Sequence, residues 1–152
     1  MTEHASTTTG KTPLQLAAGA VGAVFLLVGI LGFVPGVTTN YDEIEFAGHM
    51  SGAELLGVFQ VSILHNTVPL LFGVAGLTMM RTAPLARQFL LGGGVIYAVL
   101  WVYGLLIDRE SDANFVPLND ADNWLHLGLA VGMIGLALVF GGRARTTESV
   151  WR

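Results

Sequence analysis

The most constraining feature of this chain is that its charged residues are grouped into a few patches, which leaves long apolar stretches between them. Of its 152 residues, 53% are hydrophobic and 12% are charged. A soluble globular domain carries about 25% charged residues, roughly twice this share. Runs of about 20 apolar residues are long enough to cross the hydrocarbon core of a bilayer as helices. The sequence therefore predicts a small, one-domain integral membrane protein with the lipid bilayer as its solvent.

Four stretches have the length and composition of transmembrane helices, at about 14–34, 54–80, 88–107 and 124–140. At ~1.5 Å per residue the first would be about 31 Å long, the thickness of a hydrocarbon core. A signal peptide is the alternative for this stretch, but the apolar run is too long and no convincing cleavage site follows it. We therefore predict an all-α fold, a four-transmembrane-helix bundle over residues 14–142. A disordered tail at 1–13 and a second tail at 143–152 flank it.

Local motifs predict where two of these spans begin and end. Ser51 followed by Glu54 has the spacing of a capping box, which would begin the second span. The pair Gly141-Gly142 would end the fourth span. The loop before the fourth span is rich in oxygen ligands: Asp112, Asn114, Asn119, Asp120 and Asp122. Their spacing does not match a calcium-binding EF-hand, so we expect a solvated loop in which one of the last three caps the helix.

The basic residues predict the orientation of the spans. Six of the seven lie on the side shared by the two tails and the loop after the second span: Lys11, Arg81, Arg87, Arg143, Arg145 and Arg152. Only Arg109 lies on the opposite side, together with nine of the eleven acidic residues. Because loops rich in Lys and Arg stay in the cytoplasm, we expect both termini there, in a multi-pass protein of the plasma (inner) membrane.

Small residues predict where helices approach one another closely. Ala18 with Gly22, and Gly128 with Gly132, are small-xxx-small pairs within the first and fourth spans. In lipid such pairs promote helix association, because they let two backbones come close together. They can pack spans within one chain or form the face of a homo-oligomer, and the pattern does not distinguish these two arrangements.

The second predicted span carries an unusual group of polar residues: Gln60, His65, Asn66 and Pro69. Polar groups within a membrane segment are costly and usually face protein or water. Pro69 also has no amide hydrogen to donate to the carbonyl of His65. This group is a candidate intramembrane site for a proton, a cation, a quinone or a lipid. Hydrogen bonding to a neighbouring helix is the alternative role for His65 and Asn66.

His126 raises the question of a haem held between it and His65. Measured from the predicted starts of their spans, His65 lies about 16 Å and His126 about 3 Å below the membrane surface. One iron would not reach two imidazoles that differ by roughly 13 Å in depth. The sequence therefore predicts no bound cofactor and no metal, and it places His126 at the interface beside Trp124.

Several classes of function lack the residues they need. The chain has no cysteine, which excludes disulfides, thiolate metal sites and a cysteine nucleophile. It has no basic cluster of the kind that binds nucleic acid. No constellation of a nucleophile with a base, and no phosphate-binding loop, can be recognised from the spacing of residues. We therefore predict a protein that is not an enzyme, with no catalytic residues.

The order of several motifs resembles a known family. The motifs are LGVFQVSILHN at 56–66, LLFGVAGL at 70–77, GGGVIY at 92–97, NFVP at 114–117 and ADNWLHL at 121–127. Together they resemble a family of four-helix membrane proteins found mostly in actinobacteria, the domain of unknown function 4383. The resemblance extends from the first span to the fourth. It implies the fold and the membrane location, and it implies no activity.

Two functional hypotheses follow from these features. The first is a non-enzymatic accessory or assembly subunit of a larger membrane complex, or a homo-oligomer, because the chain is small and rich in glycine. The second is a small carrier or redox-linked protein that binds a proton, quinone or lipid at the polar site of the second span.

Overall fold

In the computed structural model, which describes residues 10–111, 114 and 118–146, four helices pack together and a small sheet lies at one end of them. The helices are α1 Pro13–Leu31, α2 Ile63–Met79, α3 Ala83–Leu106 and α4 Asp120–Thr146. The strands are β1 Thr38–Thr39, β2 Glu54–Leu55 and β3 Phe59–Gln60, and a short 3₁₀ helix follows β1 at Tyr41–Glu43. We call this end of the molecule the sheet end. Most of the two predicted tails, 1–9 and 147–152, and Asp112 lie outside the described residues.

Three of the four helices are long and apolar enough to cross a membrane. They are Pro13–Leu31, Ala83–Leu106 and the Asp120–Gly142 part of α4. The remaining helix, α2, is also apolar but has 17 residues, which makes it about 26 Å long. The chain is therefore mostly helical, as predicted, and its helices are compatible with a membrane protein.

The prediction of an all-α fold misses the sheet, and the predicted start of the second span at Glu54 is wrong. Glu54 and Leu55 pair in antiparallel fashion with Thr39 and Thr38 on one side and with β3 on the other. The chain turns between β2 and β3 at Leu56 and Gly57, both with positive φ. The backbone groups of this segment are thus satisfied by strands rather than by a helix.

Ser51 does not cap a helix. Its hydroxyl donates a hydrogen bond to the carbonyl of Val61 and accepts one from the amide of Glu45. The residue that caps α2 is Ser62, whose hydroxyl accepts a hydrogen bond from the amide of His65 at 3.0 Å. The helix therefore begins at Ile63, nine residues after the predicted start at Glu54.

The other helix ends differ less from the predictions. Asn119 caps α4: its side-chain oxygen accepts from the amide of Asp122 at 2.9 Å, and the Asp122 carboxylate accepts from the amide of Asn119 at 3.1 Å. The predicted stop at Gly141-Gly142 is wrong, because α4 continues through both glycines to Thr146. The third helix begins at Ala83, before the predicted start at residue 88, with Thr82 as its cap.

The helices pack in two pairs, α1 with α2 and α3 with α4. The first pair approaches closely at Gly22 and Gly76, where a Cβ atom added to Gly22 would lie 2.9 Å from the Gly76 Cα. Ala18 is fully buried one turn away. In contrast, Cβ atoms added to Gly128 and Gly132 would meet nothing within 4 Å in the part of the chain that the structure describes. The two small-residue pairs thus have different surroundings: one lies inside the molecule and the other faces outward.

A cluster of aromatic rings joins the two helix pairs. The ring of Tyr97 on α3 stacks on Phe25 of α1 at a centroid distance of 5.4 Å and meets the edge of Phe72 of α2 at the same distance. A second, smaller core under the sheet contains Ala53, Leu55 and Val61. The space between these two cores contains the site described next.

Candidate functional site

A cavity of about 390 Å³ lies between α1, α2 and α4 near the sheet end. Its volume is within the range of pockets that bind small molecules. Tyr97 of α3 lies at its closed side, and residues of β2, β3 and the turn between them cover it. Its walls are largely apolar, and its polar lining residues are His65, Asn66, Tyr97, Asp122 and His126.

The polar residues are concentrated at the sheet end because of where the helices begin. His65 and Asn66 are the third and fourth residues of α2, while Asp122 and His126 are the third and seventh residues of α4. Asp122 and His126 are four residues apart and so share one face of α4. Both helices begin at the sheet end. The first turn of α2 and the first two turns of α4 bring these four side chains to one side of the cavity.

The two histidines are close together, which contradicts the depth argument made from the sequence. Their ring centroids are 6.5 Å apart, with an angle of 38° between the ring planes. The predicted difference in depth depended on a second helix starting at Glu54. Because α2 begins at Ile63 instead, His65 lies at nearly the same level as His126.

His126 has the most unusual environment in the cavity. It is 5% exposed, and its ring also lies 5.4 Å from that of Tyr97. Its Nδ1 atom is buried and has no hydrogen-bond partner among the described residues. A buried polar atom without a partner is costly, and ligand-binding sites are one of the places where such atoms occur. His126 is therefore buried within the protein, and its interfacial depth stays a prediction.

Asp122 is buried, whereas the sequence indicated a solvated loop. It is 1% exposed, and one of its carboxylate oxygens accepts hydrogen bonds from the amides of Gln60 and Asn119. Asn114 is buried as well and donates to the carbonyl of Arg109. Asp120 fits the solvated description, since it is exposed and pairs with Arg109 at 2.7 Å.

Asn66 links α2 to the end of α1. Its side-chain amide donates a hydrogen bond to the carbonyl of Gly32 at 2.7 Å. The hydroxyl of Thr38 donates to the same carbonyl at 3.1 Å. These two bonds satisfy a carbonyl at the C-terminus of α1 that has no partner within its own helix. Asn66 therefore makes the interhelical bond that the sequence analysis gave as the alternative to a ligand-binding role.

The structure brings together three of the four residues predicted to form the polar site. His65, Asn66 and Pro69 line the cavity. Gln60 does not: it lies on β3, and its side chain donates to the carbonyls of His49 and Ser51. Sequence reasoning did not assign Tyr97, Asp122 or His126 to this site. The spacing of Asp122 and His126 by one helical turn was the available signal for two of them.

The open side of the cavity lies between α1 and α4. Val24 on α1 and Leu125 on α4 both line the cavity, and they are 59% and 39% exposed. Asn66 and Pro69 of α2 and Tyr97 of α3 are buried on the opposite side. The arrangement is an apolar opening on the side of the helices, which leads inward to a polar end under the sheet.

The residues of the site do not form an evident metal centre. Within residues 10–111, 114 and 118–146, no group of three or more His, Cys, Asp or Glu side chains is placed to hold a metal ion. His65 and His126 could each offer one imidazole nitrogen to a metal ion. One carboxylate oxygen of Asp122 already accepts hydrogen bonds from two backbone amides. The chemistry that the site supports best is hydrogen bonding to one polar group of an otherwise apolar molecule.

Comparison with known proteins gives one match. The model of a family described as a domain of unknown function (DUF4383) matches residues 15–139, which include all of the cavity-lining residues. Neither the curated proteins nor the solved structures contain a match to this chain.

Proposed function

The chain belongs to the DUF4383 family, and we propose that it is a membrane protein that binds an amphipathic small molecule drawn from the bilayer. The apolar part of the ligand would occupy the opening between α1 and α4. Its polar head would lie at the closed end, beside His126. The observation that carries this proposal is a largely apolar cavity of ligand-binding size whose polar residues are gathered at one end.

The combination of polar and apolar walls supports this class of ligand. A soluble, fully polar molecule would leave its hydrogen-bonding groups against the apolar walls, which costs free energy. A pure hydrocarbon would make no hydrogen bond to the polar residues of the lining, such as His126. A molecule with one polar end and an apolar body avoids both costs. The proposed role is binding, because the site offers hydrogen bonds to one polar group and apolar walls to the rest of the molecule.

This function requires a defined position in the membrane. We propose that all four helices cross the plasma (inner) membrane, with both termini in the cytoplasm and the sheet outside. The support is the distribution of Lys and Arg: within residues 10–111, 114 and 118–146, only Arg109 lies toward the sheet end. Although α2 is about 26 Å long, short spans are accommodated by local thinning of the bilayer.

The proposal is tested by filling the opening of the cavity. Ala20 and Ala23 both lie on α1 and are both exposed, but only Ala20 lines the cavity. The protein is extracted in a mild detergent, and the small molecules bound to it are identified by native mass spectrometry. We expect Ala20→Phe to lose a bound amphiphile that the wild type and the matched control Ala23→Phe retain. If the wild type carries no such molecule, or if both variants carry it equally, the proposal is wrong.

A second candidate function is supported by the outward-facing glycines of α4. We propose, as the alternative, an accessory or assembly subunit of a membrane complex, or a homo-oligomer, that associates through the face containing Gly128 and Gly132. Ala18 and Gly22 are buried between helices of the same chain, so they are not available for this role. Gly128 and Gly132 are exposed, and a helix from a partner could approach them closely.

A further inference from the structure

We propose that the ligand is an isoprenoid quinone or quinol, and that its neutral ring head is bound beside His126. This inference rests on the proposed function, and it adds the chemical class of the head group. Three observations on the cavity carry it: the absence of Lys and Arg among its described lining residues, the imidazole of His126, and the arrangement of aromatic rings around that imidazole.

The absence of a cation disfavours an anionic head group. Among the described residues, no Lys or Arg lines the cavity. A phosphate brought to this end would have no cation to pair with. Every phospholipid carries such a phosphate. The polar end of the cavity therefore suits a neutral head group.

The imidazole of His126, which lines the cavity, indicates what that neutral head must offer. A neutral imidazole has one nitrogen that donates and one that accepts, so the side chain can bind either a carbonyl or a hydroxyl oxygen, depending on its tautomer. The oxidised quinone presents a carbonyl and the reduced quinol presents a hydroxyl. One buried histidine could therefore bind both forms of such a head.

The rings around His126 favour a flat head group. Tyr97 lies at a centroid distance of 5.4 Å from His126, and Phe25 stacks on Tyr97 at the same distance. His65 lies at 6.5 Å on α2. Aromatic groups stabilise one another when stacked with an offset or edge to face, so a planar ring would extend this cluster. A flexible glycerol head would gain none of these contacts.

The test measures binding of a quinone with a short isoprenoid tail to the full-length protein. The protein is placed in nanodiscs of zwitterionic lipid, and the bound fraction is measured by equilibrium dialysis. We expect His126→Phe, which keeps a ring but removes the hydrogen-bonding nitrogen, to weaken binding about tenfold. His49→Phe is the matched control, because His49 is not among the residues that line the cavity, and it should bind like the wild type.

Two further measurements keep the proposal falsifiable. His126→Gln retains a donor and an acceptor, so its affinity should fall less than that of His126→Phe, even if the latter folds poorly. Vesicles that contain phosphatidylglycerol should not displace the quinone. Equal binding by His126→Phe and the wild type would overturn the quinone assignment, and so would preferential binding of the anionic lipid. If Ala20→Phe still loses a bound amphiphile in either case, the cavity binds a ligand of another class; if it does not, the proposed function itself fails.

Discussion

The carboxylate of Asp122, at the start of α4, accepts a hydrogen bond from the backbone amide of Gln60, which lies 62 positions earlier on β3. The donor and acceptor are 3.2 Å apart. The side chain of Asn119 adds a second link to the same region, donating to the carbonyl of Val58 at 2.7 Å. These bonds attach the sheet to α4. They hold β2, β3 and the turn between them over the cavity.

The first prediction concerns this attachment. Asp122→Ala should lower the free energy of unfolding by about 1–3 kcal/mol, because it leaves the partly buried amides of Gln60 and Asn119 without their acceptor. The measurement is thermal unfolding in mild detergent, followed by circular dichroism. Asp120→Ala is the control: Asp120 is an exposed neighbour that pairs only with Arg109, so its removal should change stability little. Equal effects of the two changes would show that the bond to Gln60 does not stabilise the fold.

The second prediction concerns the contact between α1 and α2. Gly22→Ala should destabilise the protein, because the added Cβ would lie 2.9 Å from the backbone of Gly76. Overpacking of this kind costs about 1–3 kcal/mol. Gly92→Ala is the matched control, since Gly92 is also inside a helix but its added Cβ meets nothing within 4 Å in the described part of the chain. That change should be neutral or slightly stabilising, because alanine favours a helix more than glycine does. A neutral Gly22→Ala would contradict the close packing described above.

The third prediction separates the two candidate functions. Gly132→Leu adds bulk to the outward face of α4, where its Cβ meets no described residue of the same chain. The monomer should therefore keep its stability, and any oligomer or complex that uses this face should dissociate. The measurement is the mass of the particle in mild detergent, with Gly92→Leu on α3 as the control. An assembly that survives Gly132→Leu unchanged does not form through this face.

The fourth prediction concerns orientation. The chain has no cysteine, so single cysteines can be introduced and labelled without background. A cysteine at exposed Asp42, beside the sheet, should react with a membrane-impermeant maleimide on intact cells. A cysteine at Gly10, before α1, should react only after the cells are permeabilised. The reverse pattern would overturn the proposed topology.

Local sequence determined several properties of this protein on its own. Apolar stretches of about 20 residues are long enough to cross a bilayer, and three of the four predicted spans correspond to helices of sufficient length and hydrophobicity. The motifs that resembled the DUF4383 family predicted a membership that the family match over residues 15–139 confirms. The cap of α4 could also be predicted from local sequence, because Asn119 and Asp122 hydrogen-bond to each other within one turn.

Tertiary structure decided where α2 begins, and with it the composition of the site. The segment 54–60 is apolar enough to continue a helix, but its first two residues pair with Thr38 and Thr39, which lie 16 positions earlier in the chain, and its last two pair back onto the first two. Hydrogen bonds between distant strands leave no periodic signal in so short a segment, so the sequence favoured an uninterrupted helix. The later start places His65 within 6.5 Å of His126. The burial of Asp122 likewise depends on its bond to Gln60, and for the same reason the sequence could not show it.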